Sequence, residues 1–128
     1  MGFKLCAFSD EAGSSLSEQI AALKRNNIHF TEIRSVNGVN IAKISIEKAR
    51  EYAGELKRNN IKVWSIGSPL GKIKITDDFE QHLDVVRHII ELAKVFEADK
   101  VRMFSFYVND HDKDRGEVLS RLNKMVKL

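Results

Sequence analysis

One cysteine and one proline occur among 128 residues, and no apolar run approaches the roughly 20 residues that cross a bilayer. A lone cysteine excludes an internal disulfide, so a reducing cytoplasm is the expected setting. Cys6 lies between apolar neighbours and reads as a small core residue rather than a nucleophile. The opening MGFKLCAFSD has neither a signal-peptide core nor a small-residue cleavage site, and Cys6 stands where a myristoylation signal needs Ser or Thr. Strong charge of one sign is also missing. The net charge is +3, and Lys and Arg are dispersed and interleaved with Glu, as in EKAREYAGELKR. That is the pattern of solvated helix faces, without the clustered basic stripe of a nucleic-acid groove. No nucleic-acid or membrane partner is expected. No linker or low-complexity tract interrupts the chain, so residues 1–128 read as a single domain able to bury one core.

What the chain does have is an internal repetition. LKRNNIHFTEIR starts at Leu23 and LKRNNIKVWSIG at Leu56, sharing their first six residues. Leu16, Ile20 and Leu23 follow helical spacing, with Ser15 and Glu18 as a capping box at the start. Asn26 and Asn27 end that helix, because Asn tolerates the left-handed turn at a helix terminus. A second stripe, Ile46, Ala49, Tyr52, Ala53 and Leu56, ends on Asn59 and Asn60 in the same way. Each repeat is therefore a helix end leading into a strand, IHFTEIR or IKVWSIG. A third helix is predicted from caps Asp77 and Glu80 and the stripe Leu83, Val86, Ile90 and Ala93. KLCAFS (4–9) reads as an opening strand and KVRMFSFY (100–107) as a fourth. EVLSRLNKMVKL closes the chain as a helix with Val118, Leu122 and Met125 on one face. Four strand–helix units imply an α/β fold with a parallel sheet. Either a small doubly wound sheet or half of a (β/α)8 barrel, which needs roughly 250 residues when whole, satisfies that order.

Several tempting motifs fail on spacing. GSPLGKIKI has three residues between its glycines and Ile73 after Lys72, where a phosphate loop needs four and a hydroxyl. SDEAG carries no dinucleotide fingerprint. DHDKDRGEVLSR puts Arg115 and Arg121 where a calcium loop needs Gly and Glu, and it reads as an exposed acidic loop. His29 precedes the second strand, His82 and His88 lie on the third helix, and only His111 falls in a loop after a strand; they supply no obvious metal-binding trio.

In strand–helix folds, chemistry gathers at the carboxyl ends of the strands. Those ends read Ser9-Asp10-Glu11, Glu32-Ile33-Arg34, Gly67-Ser68 leading to Lys72, and Ser105-Phe106-Tyr107. They form a candidate rim for a hydroxylated small ligand, neutral or anionic. The substrate-binding candidates are Asp10, Glu11, Glu32, Arg34, Ser68, Lys72, Ser105 and Tyr107. Glu32 and Arg34 flank apolar Ile33, so they either pair inside a barrel or bind substrate oxygens. Asp10 and Glu11 either bind ligand or complement a helix dipole. Tyr107 either packs or binds.

FSDEAGSSLSEQIAALKRNNIHFTEIRSVNGVNI, IKVWSIGSPLGKIKITDDFEQHL and VRMFSFY together resemble the xylose isomerase-like barrel family of sugar isomerases, epimerases and related enzymes. The likeness spans residues 3–126 and rests on S-D-E, E-I-R-x-V-N-G, S-I-G-S-P-x-G-K-I-K-I and F-S-F-Y in that order. It implies a half barrel, the four N-terminal βα units of a TIM-type fold. Family members interconvert aldoses, ketoses or their relatives by metal-assisted proton transfer alpha to a carbonyl. The resemblance puts the divalent-metal ligands (two Glu, an Asp and a His) on strands five to eight, which this chain does not contain. It carries over Glu32, Arg34 and Ser68 best, as pocket or barrel-interior positions. The implied function is a truncated sugar isomerase or epimerase with no cofactor of its own, inactive or nearly so alone. The alternatives are a non-catalytic remnant or sugar-binding module, and, less favoured, a relative of metal-dependent abasic-site endonucleases. The latter carry histidines at the early strand ends, where this chain has Arg34 and Gly67-Ser68. Unpaired edges at strands one and four imply a homodimer.

Overall fold

In the computed structural model, which describes residues 2–128, the duplicated LKRNNI is a helix end turning into a strand. Helix α1 (Leu16–Arg25) and helix α2 (Ile46–Arg58) both stop at the paired asparagines, where Asn27 and Asn60 take φ of 54° and 58°. Ser15 caps α1 by accepting from the Glu18 N–H at 3.2 Å, while the Glu18 carboxylate accepts from the Ser15 N–H at 2.9 Å.

Strands β1 (Cys6–Ala7), β2 (Phe30–Ile33), β5 (Lys62–Gly67) and β6 (Val101–Arg102) form one parallel sheet in the order β1-β2-β5-β6. Between β2 and α2 a small hairpin, β3 (Ser35–Val36) and β4 (Val39–Asn40), turns on Asn37 and Gly38 at φ of 54° and 73°. This is the Asn-Gly signature of a tight hairpin, and the strand–helix reading passed over it. The sheet order runs strictly with the sequence, so right-handed crossovers stack all the helices on one face. A doubly wound sheet would instead reverse its order at a switch point. The topology is that of a barrel opened out to four strands.

Between sheet and helices lies one core in which Ile33, Ile66, Ile89 and Leu92 are fully buried. On helix α3 (Phe79–Val95) Ile89 is fully buried, and the expected Ile90 packs partly buried against the same core. The cap of α3 is Asp78, whose carboxylate accepts from the Glu80 and Gln81 N–H groups. Asp77, expected there, instead accepts from the Lys74 N–H at 2.9 Å and closes the preceding turn.

Three further expectations change. The outer strands are two residues each rather than the predicted six and eight, because an edge strand finds a ladder partner on one side only. Cys6 is exposed, not core: it sits on β1, an edge strand that pairs among the described residues with β2 alone. Helix α4 (His111–Met125) begins inside the segment read as an acidic loop, so His111 is its first residue. Asp110 starts it by accepting from the Asp112 and Lys113 N–H groups, both at 3.1 Å.

Candidate ligand-binding rim

Strand alternation sends Thr31 and Ile33 toward the helices, leaving Phe30, Glu32 and Arg34 on the uncovered face. A bulge between Thr31 and Glu32 shifts the register so that Ser65, not Trp64, stands opposite Glu32. The Ser65 hydroxyl donates to Glu32 Oε2 at 2.8 Å, and Arg102 Nε donates to Glu32 Oε1 at 2.6 Å. On the neighbouring strand end, Arg34 Nε donates to both Asp10 oxygens at 3.1 Å, and its terminal nitrogen also reaches Glu11. Hydrogen bonds to Asp10 first and Glu11 second push the Arg34 guanidinium above its ordinary value, so it is a fixed cation. Glu32 and Arg34 therefore share a face but pair with different partners.

The two ion pairs meet over Gly67. A Cβ there would lie 2.6 Å from Arg34 Cγ, 3.0 Å from Glu32 Oε1 and 3.1 Å from an Arg102 nitrogen, so only glycine lets both networks close. Phe8 carries both cations on its ring, Arg34 at 4.4 Å and Arg102 at 5.7 Å from the centroid. Phe104 holds Arg102 at 5.0 Å and Lys72 at 5.3 Å. The result is a half-buried floor of alternating donors and acceptors walled by aromatic rings, at the carboxyl ends of the strands.

The other candidates are divided between structure and surface. Ser68 is buried; its hydroxyl donates to the Arg102 carbonyl at 2.6 Å and accepts from the Leu70 N–H at 3.2 Å, which fixes the loop after β5. Lys72 and Ser105 are exposed on the rim. Tyr107 is 56% exposed, and its backbone bridges to the 68–75 loop opposite Lys74. Ser9 turns away from the rim: it donates to Gln19 at 2.9 Å and meets Thr31 at 2.8 Å in a buried polar cluster beneath β1.

Sequence reasoning missed Arg102 and Phe8. Arg102 could have been found by applying to the fourth strand the every-other-residue rule that linked Glu32 to Arg34; Phe8 carried no signal. Desolvation, with the Glu32 charge second, pushes the Cys6 thiol up, which argues against an activated nucleophile.

A divalent cation does not fit these residues. Among the described residues no three His, Cys, Asp or Glu side chains converge, and Asp10, Glu11 and Glu32 each face a guanidinium. The histidines are dispersed: His82 Nε2 accepts from the Gly71 N–H, His88 bonds the Ile44 carbonyl, and His29 bonds Asn60 and Asn27. Two hollows of ≈ 290 and ≈ 350 Å³ lie away from the rim, between the ends of α2 and α3 and beside β6.

No protein-family profile matches the chain, and no curated protein matches it. Among solved structures it is similar to the probable 3-DHS dehydratase AsbF, involved in petrobactin synthesis, from Bacillus anthracis. The TM-score is 0.72 at 20% identity, over 98% of this chain and 47% of that one. The chain thus spans about half the length of that protein, and its four parallel strand–helix units have the fold of half of a TIM-type barrel.

Proposed function

We propose that this chain supplies the substrate-binding half of a sugar-processing barrel of the isomerase or epimerase type. The observation that carries the reading is the pair of ion-paired networks meeting over Gly67 at the strand ends. A polyhydroxylated ligand presents donors and acceptors a few ångströms apart, and the rim sets carboxylates and guanidiniums side by side over Gly67. Arg34 and Arg102 donate to ligand oxygens, and Asp10 and Glu32 hold those guanidiniums in place.

Proton transfer alpha to a carbonyl needs a base and an electrophile. Both Glu32 oxygens already accept hydrogen bonds, from Arg102 and Ser65, so Glu32 serves as a positioning residue. The base and any divalent metal belong to side chains outside these four units. The chain alone then binds ligand without turning it over. AsbF is named a dehydratase, and elimination of water is the second reading; product analysis of a completed barrel separates the two.

Calorimetric titration with an aldose, a ketose and a polyhydroxylated carboxylate tests the proposal. At least one should bind with a Kd of about 1 mM, near −4 kcal/mol, as suits an open site. Arg34→Met and Arg102→Met should each weaken that binding tenfold or more. Equal binding by wild type and both variants would reject the rim as the site.

A further inference from the structure

Most of the large apolar side chains left in solvent fall in two regions. Leu5 and Phe8 flank β1, Trp64 and Phe104 lie on the uncovered sheet face, and Leu119 on α4, with Val126 just past its end, belongs to the last helical unit, which follows β6. The others are Val39 at the hairpin tip, Tyr107 on the rim, and Phe3 and Leu128 near the two chain ends. The exposed apolar surface therefore marks the inner face and the β6 end of an opened barrel.

The total area agrees. The chain exposes 8218 Å². A compact folded monomer of its 14.6 kDa mass exposes roughly 6,900 Å² by the size scaling of globular proteins. The excess, about 1,300 Å² per chain, makes about 2,600 Å² for two chains, within the range of permanent dimers.

We infer that a second copy of this chain covers the face. Four strands are half of an eight-stranded barrel, and all four run parallel. A twofold axis along the barrel axis keeps every strand parallel and sets the β6 edge of each copy against the β1 edge of the other. Two seams close at once, and no free edge remains. The charges permit it: Arg34 with Asp10 and Arg102 with Glu32 are neutralised within each copy, so the two inner faces do not repel. This inference rests on the fold and the exposed surface, and it stands whether or not the rim binds a sugar.

Trp64 is the only tryptophan, and its side chain is 41% exposed on the face that closure covers. The test is sedimentation of the full chain from nanomolar to high micromolar concentration, with acrylamide quenching of Trp64 measured alongside. The mass should double as concentration rises, and quenching should fall at least threefold over the same range. Leu119→Asp, at a solvent-facing position that folding tolerates, should raise the dimer dissociation constant at least tenfold. Val39→Asp should leave it unchanged. A chain that stays monomeric throughout overturns the inference and assigns the face to a different polypeptide. A dimer in which Trp64 quenching stays constant also overturns it, because another surface would then be the interface.

Discussion

Replacing Gly71 with alanine should cost more stability than its single added methyl suggests. Gly71 sits at φ +76°, and a Cβ there would lie 1.7 Å from the Phe104 carbonyl oxygen, which is backbone and cannot rotate away. The positive φ alone costs an alanine about 1–2 kcal/mol. Relieving the clash means separating residues 104–107 from the 70–75 loop. Phe104 N–H to Leu70 (2.7 Å), Phe106 N–H to Gly71 (2.9 Å) and Tyr107 N–H to Ile73 (2.9 Å) hold those segments together. The Gly71 N–H itself donates to buried His82 Nε2 at 2.9 Å. Losing two to four such bonds at about 1 kcal/mol each brings the total to about 3–6 kcal/mol. That is a large share of the roughly 5–15 kcal/mol that holds a domain together. Phe106 adds to the dependence: it takes φ 71°, unusual for an aromatic residue, among Phe79, His82 and Arg121. Urea unfolding followed by circular dichroism measures the loss, and hydrogen exchange at the Phe106 and Tyr107 amides localises it. A cost below about 1 kcal/mol, with both amides still protected, would refute the claim that this seam is held by close backbone approach.

A double-mutant cycle on Glu32→Gln and Arg102→Met should return a coupling of about 1 kcal/mol, since the pair is half-buried rather than exposed; a coupling near zero would detach Arg102 from the rim network. Burial, with the Arg121 charge second, holds His82 below its usual 6.5. The unfolded chain therefore takes up a proton before the folded one does. The contribution of His82 is complete above about pH 6.5 and is lost as pH falls through the lower folded value. The urea midpoint of wild type should drop further between neutral pH and about pH 5 than that of His82→Gln, whose amide oxygen can still accept from Gly71; parallel curves would contradict this. Ser15→Ala should cost about 1 kcal/mol in chemical denaturation by removing the α1 cap, and an unchanged midpoint would show that the capping box contributes nothing measurable.

Local signals were legible where a side chain answers directly to the backbone. The paired asparagines foretold both helix ends because left-handed φ is a single-residue preference, and Ser15 with Glu18 foretold a reciprocal cap. The fourth strand was overread because KVRMFSFY has strand composition, whereas pairing depends on a neighbour. Only Val101–Arg102 pairs with β5, and Phe106 at positive φ turns the remainder onto the 68–75 loop. Asp77 and Asp78 carry the same side chain, so choosing the cap between them required the geometry of the preceding turn. Alternation placed Glu32 and Arg34 on one face. Their partners come from other strand ends, with Arg102 seventy residues away, and no local pattern encodes that pairing. Ser68, prominent in its motif, proves to hold backbone.

The most direct measurement is amide chemical-shift mapping of the full chain titrated with a polyhydroxylated carboxylate. The rim account predicts shifts clustered at residues 10–11, 34, 67–68 and 102, absent in Arg34→Met. Shifts confined to the hollow between α2 and α3, or a pattern untouched by that substitution, would contradict it.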